Sequence, residues 1–236
     1  MGTLILVRHG RTQANVDGIL AGRTAGVDLD DRGREQAAAT AERLTTVPLV
    51  AVVSSPLDRC RQTSALILDR QQGSPEFVVE DDITECDYGD WQGGTLKQLS
   101  TEKLWKVVQS NPSAAVFPGG ESLATMQSRA VAAIRRLDAE FEEKHGPGAV
   151  WAAVSHGDII KSVLADAYGM HLDLFQRISV DPASISIIRY TNTRPYVMAS
   201  NTHEGDLGWL VTAPKKTASA TSADDAAVGG GAGPEA

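Results

Sequence analysis

The sequence predicts an α/β domain: an open sheet with helices on both faces and a small cap inserted over one end. Two observations carry this. Four apolar runs, at 3–7 (TLILV), 49–53 (LVAVV), 77–79 (FVV) and 149–154 (AVWAAV), are separated by helical patterns, the alternation that builds such sheets. A polar stretch, from about Cys86 to Gly120, breaks that rhythm and is bounded by the turns Gly93-Gly94 and Pro118-Gly119-Gly120.

The first strand, Leu4-Ile5-Leu6-Val7, shows no polar alternation and reads as buried on both faces, as in parallel sheets. Residues 31–46 are rich in helix formers, with apolar positions gathered on one side. The second strand, 49–53, leads into a helix over 56–70, with Ser55 as N-cap and Pro56 at its first position. Beyond the third strand and the cap, 121–144 gives the longest helix, closed by His145-Gly146-Pro147. A fourth strand precedes a helix over 158–169 that stops at Gly169. Residues 184–190 and 194–200 pair as a hairpin around Thr191-Asn192-Thr193. The domain therefore covers 1–211, with its cap at about 86–120, and a low-complexity, disordered tail is expected over 212–236.

Composition narrows the function. The chain has 236 residues, 42% hydrophobic and 22% charged, with a net charge of −8. No long basic run exists, so a nucleic-acid groove is not expected. An anionic substrate would need a local cluster of cations working against the overall charge. No apolar stretch has the length of a membrane span, and no secretion signal opens the chain. Cys60 and Cys86 match no metal spacing and read as reduced thiols, which points to the cytoplasm. If the late strand at 184–190 lies at a sheet edge, it could pair with a second copy in a homodimer, which nothing in the sequence fixes.

Ligands of open α/β sheets sit beyond the carboxyl ends of the strands. The first strand is followed there by Arg8, His9, Gly10, Thr12 and Asn15, the second by Ser54, Ser55 and Arg59, and the fourth by Ser155, His156 and Gly157. Glu85 lies on the loop into the cap. Two arginines, two histidines and a glutamate thus converge. Arginines and a helix N-terminus bind phosphate oxygens. A neutral imidazole attacks phosphorus, a protonated one stabilises the transferring group, and a carboxylic acid protonates the departing alcohol. The set suits phosphoryl transfer through a phosphohistidine. Each element alone has a blander reading, such as a strand-end turn or a solvated helix face for Arg59. The joint placement at three strand ends favours the functional one.

Elsewhere the residues are ordinary. His145, His171 and His203 read as surface residues without partners, and Trp91, Trp105 and Trp151 as packing residues. No GxGxxG follows a strand, and neither GxxxxGK[ST] nor HExxH occurs, so no nucleotide cradle, cofactor or metal is expected.

"LVRHGRTQAN" resembles the RHG-x-T-x-x-N signature of the histidine phosphatase superfamily, the phosphoglycerate mutase-like family. "SSPLDRCRQT", "ECDYGDWQG", "PGGES" and "VSHGDIIK" are similar to its other motifs, in order over roughly residues 3 to 190. The resemblance implies a three-layer α/β/α fold with a mainly parallel central sheet and a variable cap. It implies His9 as nucleophile, Arg8, Arg59 and His156 as phosphate pocket, Glu85 as proton donor and Asn15 lining the phosphate site. In "LAGRTAG", Ala21 stands where the family commonly has a glutamine, while Gly22 is kept for backbone contacts. Family mutases carry extra arginines in the cap; here 86–120 holds Lys97, Lys103 and Lys106 and no arginine. A phosphatase of a small phosphorylated metabolite is expected. The alternatives are a cofactor-dependent phosphoglycerate mutase and a non-catalytic member that binds phosphorylated ligands. The lysines with Tyr88, Trp91 and Trp105 predict a partly aromatic, mildly cationic vestibule.

Overall fold

The computed structural model describes residues 2–210, so the expected tail from 212 onward lies outside the described residues. Strands β1 (Thr3–Arg8), β2 (Ala51–Ser54), β3 (Glu76–Val79) and β4 (Val150–Ser155) run parallel, and β5 (Ile185–Tyr190) and β6 (Pro195–Thr202) form an antiparallel hairpin. They make one six-stranded sheet in the order β3-β2-β4-β1-β5-β6, with β5 antiparallel to β1, so the strand expected at an edge, 184–190, is interior and β6 takes the edge. The sheet is mainly parallel, as expected. The hairpin turns at Thr191, whose N–H donates to the Arg194 carbonyl at 3.2 Å.

β1 is buried on both faces, and alternation divides the core in two. Leu4 and Leu6 pack with Trp151 and Ala153 on one face, Ile5 and Val7 with Val52, Ala152 and Val154 on the other. Each such fully buried aliphatic side chain stabilises the fold by roughly 1.5–3 kcal/mol. Helices α2 (Asp31–Arg43) and α3 (Asp58–Leu68) cover the second face through Ala41, Cys60 and Ile67. Helices α6 (Leu123–His145) and α7 (Gly157–Ala167) cover the first through Ile134, Leu137, Ile160 and Val163. The result is three layers.

Residues 86–120 hold α4 (Leu96–Leu99), α5 (Lys103–Ser110) and short 3-10 turns. They dock onto the first face through Trp91, Leu99, Val108 and Phe117. A short helix, α1 (Gln13–Val16), follows β1 and was not anticipated. The helix expected at 56–70 starts instead at Asp58, with Leu57 at its N-cap and no side-chain cap. Ser55 is not the cap because its hydroxyl is engaged with His156 at 2.7 Å. α6 starts at Leu123, where Ser122 Oγ accepts from Thr125 N, and ends at Gly146 with φ +87°. Trp151 is fully buried, as expected, and donates to buried Asp138 at 3.0 Å.

The register brings the strand ends level. Arg8 pairs with Ser155, and Ser54 with Val154. The residues that follow β1, β2 and β4 therefore emerge side by side at the carboxyl ends of the strands.

Candidate active site

Backbone contacts fix the three emerging turns to one another. His9 N–H donates to Ser155 O at 3.0 Å, and Ser55 N–H to Val154 O at 3.0 Å. Gly10 passes so close to the start of α2 that a Cβ there would meet Gly33 O at 2.3 Å. The close crossing needs glycine, and it turns the chain so that His9 faces the crevice.

The His9 ring is held through Nδ1, 2.7 Å from the Gly10 carbonyl. A carbonyl only accepts, so Nδ1 carries the proton and Nε2 presents its lone pair. Arg59 Nε lies 3.3 Å from that Nε2. Arg59 is 3% exposed, and its Nη2 donates to Gly22 O at 2.8 Å and to His156 Nδ1 at 3.3 Å. Gly22 has φ +52°, and a Cβ there would meet Gln92 Oε1 at 2.7 Å, so this turn also requires glycine. Arg8 Nη1 is anchored on Val180 O at 2.7 Å. Arg8 Nε and Arg59 Nη1 are buried donors without a protein acceptor. Two anchored guanidinium groups with unused donors make an anion site.

His156 is wholly buried beneath this floor, its ring centroid 5.3 Å from that of His9. Because Nδ1 accepts from Arg59, Nε2 is the atom that donates to Ser55 Oγ at 2.7 Å. A protonated second histidine is expected only against a transferring phosphoryl group; in the protein alone the surroundings favour its neutral form. Burial, and then the charges of Arg59, His9 and Arg8, hold His156 well below the usual imidazole range. Burial with Arg59 and Arg8 does the same to His9 and keeps it neutral. Glu85 moves the other way, up to about 7, through burial and the neighbouring charge of Asp158. Its Oε1 accepts from Cys86 N–H at 3.0 Å, and Oε2 lies 4.0 Å from His156 Nδ1. A carboxyl group so placed holds its proton near neutral pH.

These residues floor a cavity of about 310 Å³, which Arg8, His9, Arg59, Glu85, Thr12, Asn15, Gly22 and Gly157 all line. Thr12 and Asn15 are tied to each other: Thr12 N and Oγ1 both donate to Asn15 Oδ1 at 3.0 Å. That orients Asn15 and leaves its amide NH₂ as the available donor. Tyr88, Trp91 and Trp105 line the cavity too, so the aromatic part of the expected vestibule is present. The cationic part is corrected: Lys97, Lys103 and Lys106 are exposed and do not line it, whereas Lys161 does. His171 and His203 are exposed as expected, but each has a carboxylate partner, Asp173 at 3.2 Å and Asp181 at 3.3 Å.

Sequence reasoning missed a brace behind Glu85. The Glu85 carbonyl accepts from Arg23 Nε at 2.9 Å and from Arg129 Nη2 at 3.2 Å. Glu121 joins both arginines, at 3.0 Å to Arg23 and 2.6 Å to Arg129, and accepts Asp87 N–H at 2.9 Å. Glu121 lies in the quoted "PGGES" stretch, the one signal that pointed this way. Among the described residues, no group of three or more His, Cys, Asp or Glu is arranged to hold a metal ion. No helix among them is long and apolar enough to cross a membrane.

Comparison with known proteins shows the family. The chain is 30% identical over 207 residues to phosphoserine phosphatase 1 of Hydrogenobacter thermophilus, covering 85% of this chain and 92% of that protein. It is 34% identical over 164 residues to phosphoglycerate mutase-like protein 4 of Arabidopsis thaliana, 68% of each. The crystal structure of a putative alpha-ribazole-5'-P phosphatase from Escherichia coli matches with a TM-score of 0.75 at 26% identity, over 85% of this chain and 96% of that one. The family profile described as histidine phosphatase superfamily (branch 1) matches residues 4–203. The chain belongs to the histidine phosphatase superfamily, and it is an enzyme of the histidine-phosphatase type.

Proposed function

We propose that the protein hydrolyses phosphomonoesters through a phosphohistidine on His9. The observation that carries this is the His9 ring, pinned by Nδ1 to Gly10 O so that a neutral Nε2 meets Arg59 in the cavity. Arg8, Arg59, the Asn15 amide and backbone around Gly22 and Gly157 hold the phosphoryl oxygens, with Thr12 orienting Asn15. His9 Nε2 forms the N–P bond as the ester O–P bond breaks, and Glu85 gives its proton to the leaving oxygen. Glu85, now a carboxylate, takes a proton from water. The water oxygen bonds to phosphorus, the N–P bond breaks, and inorganic phosphate leaves. His156 supports the charge from below. Neutral by itself, it gains its proton when a phosphoryl dianion lies beside it.

Hydrolysis rather than phosphoryl return is favoured by the cavity wall. Residues 86–120 bring no arginine to it, so nothing there clamps a second anionic group against water. Arg135 and Arg136 face outward and pair with Asp166 and with Glu80 and Glu140.

The test is phosphate release from a panel of phosphomonoesters, wild type beside His9→Ala, with phosphoglycerate mutase activity assayed in parallel. Wild type should release phosphate and form an acid-labile phosphoprotein, and His9→Ala should do neither. Isomerisation without release makes the protein a mutase. Binding without turnover makes it a phospho-ligand-binding member.

A further inference from the structure

The cavity lining is of two chemical kinds. The floor is charged. Ile19, Leu20, Trp91, Trp105, Val108 and Phe117 supply an apolar part of the wall. Trp91 and Trp105 stack with centroids 6.2 Å apart and planes 27° apart, and Phe117 meets Trp91 edge-on at 5.3 Å. Each ring thus fixes the next, and the wall is a preformed aromatic surface.

The other charged groups that line the cavity, beside Glu85, are already matched. Among the described residues, Lys161 is the cavity-lining lysine, and its Nζ lies 3.4 Å from Asp158 Oδ1 and 3.1 Å from Gln176 Oε1. It also sits 5.7 Å over the Phe175 ring. Asp158 in turn accepts from Tyr88 Oη–H at 2.8 Å. Arg8 and Arg59 belong to the floor. A carboxylate or second phosphate on the leaving group would lose its water against an apolar wall. It would face Asp158 and find no unpaired cation in return.

Resting on the phosphatase reading above, we propose a substrate class. The substrates are monophosphate esters of uncharged alcohols whose planar aromatic or heteroaromatic body seats against Trp91 and Trp105. Phosphorylated hydroxy acids and bisphosphates are disfavoured. This separates the chain from its phosphoserine phosphatase relative, because phosphoserine carries a carboxylate beside its ester. The volume agrees with the class: about 310 Å³ is the lower end of cavities that enclose a small ring-bearing ligand.

Three alkyl esters with comparable leaving groups test it: 2-phenylethyl phosphate, ethyl phosphate and O-phospho-L-serine. The kcat/KM for the phenylethyl ester should exceed that of each other ester by about tenfold, the scale of one ring packed in an apolar pocket. Trp105→Ala should lower the phenylethyl-to-ethyl ratio by about the same factor. Gln109 also lines the cavity, and Gln109→Arg, which adds a cation there, should raise the phosphoserine-to-ethyl ratio. Phosphoserine as the best wild-type substrate, or an unchanged ratio in Trp105→Ala, overturns the substrate class and leaves the phosphatase reading standing. No His9-dependent release from any ester overturns both.

Discussion

At Glu85 burial, and then the neighbouring charge of Asp158, raise the carboxyl group to about 7 against the opposing pull of Arg59 and Arg8. Two consequences follow from the one shift. A carboxylic acid that keeps its proton to about pH 7 can protonate a leaving alkoxide, so turnover of alkyl phosphates should decline as pH rises through that value. Glu85→Gln should slow alkyl esters by about 100-fold, and aryl phosphates, which need little help in leaving, by far less. Equal losses on both would remove Glu85 from the acid role. The same shift makes stability depend on pH. The folded state binds this proton more tightly than the unfolded chain, whose carboxyl titrates near 4.5. Stability from the group is therefore complete below that value and is lost as pH rises through about 7. Glu85→Gln keeps the oxygen that accepts Cys86 N–H and cannot ionise. Its Tm should exceed wild type at pH 8 and converge with it near pH 5, as thermal melts at the two pH values will show. A deficit at pH 8 would mean that the carboxylate is well compensated in place.

Between elements, the site depends on contacts that pass from one piece of chain to another. Glu121 stands just before α6, yet it ties Arg23 from the loop after α1 to Arg129 on α6, and both arginines grip the Glu85 carbonyl. Glu121→Ala leaves two partly buried cations without their shared partner and should destabilise the fold by roughly 2–4 kcal/mol. Because Glu121 positions rather than reacts, the variant should also lose more rate on alkyl than on aryl phosphates, like a milder Glu85→Gln. A uniform loss on both ester types would mean a structural role alone. This brace marks the boundary of what the sequence made legible. Strand ends deliver Arg8, His9 and His156 within one or two residues of an apolar run, so local pattern locates them. Arg59 follows from its place in the first turn of α3. Arg23 and Arg129 reach the Glu85 carbonyl across 62 and 44 residues, separations that no local period records. The misplaced cap at Ser55 has the same origin. Local preference assigns its hydroxyl to the helix, whereas the tertiary fold engages it with His156, 101 residues away.

Across the whole molecule, the floor of the cavity is where the fold's separate parts are held together. Arg8 and His9 extend β1, Arg59 opens α3, Gly157 opens α7, and Glu85 belongs to the loop that leads to 86–120. The floor also sets cations against one another: Arg8 and Arg59 both depress His9 and His156, and each arginine retains a buried donor without a protein acceptor. An oxyanion at this point relieves the repulsion and supplies the acceptors, and it does so only in the folded chain. Ligands that bind the native state alone stabilise it by mass action, about 2.7 kcal/mol at a concentration 100 times Kd. For a chain of this size that corresponds to a Tm rise of roughly 5–10 °C. Inorganic phosphate or orthovanadate at saturation should therefore raise the Tm by that amount, while sodium chloride at matched ionic strength should not. Arg59→Ala should abolish most of the rise, because it removes the guanidinium that bridges His9, His156 and Gly22. A phosphate effect that survives in Arg59→Ala would place the anion elsewhere on the protein. With it would go the reading of this floor as the phosphoryl site.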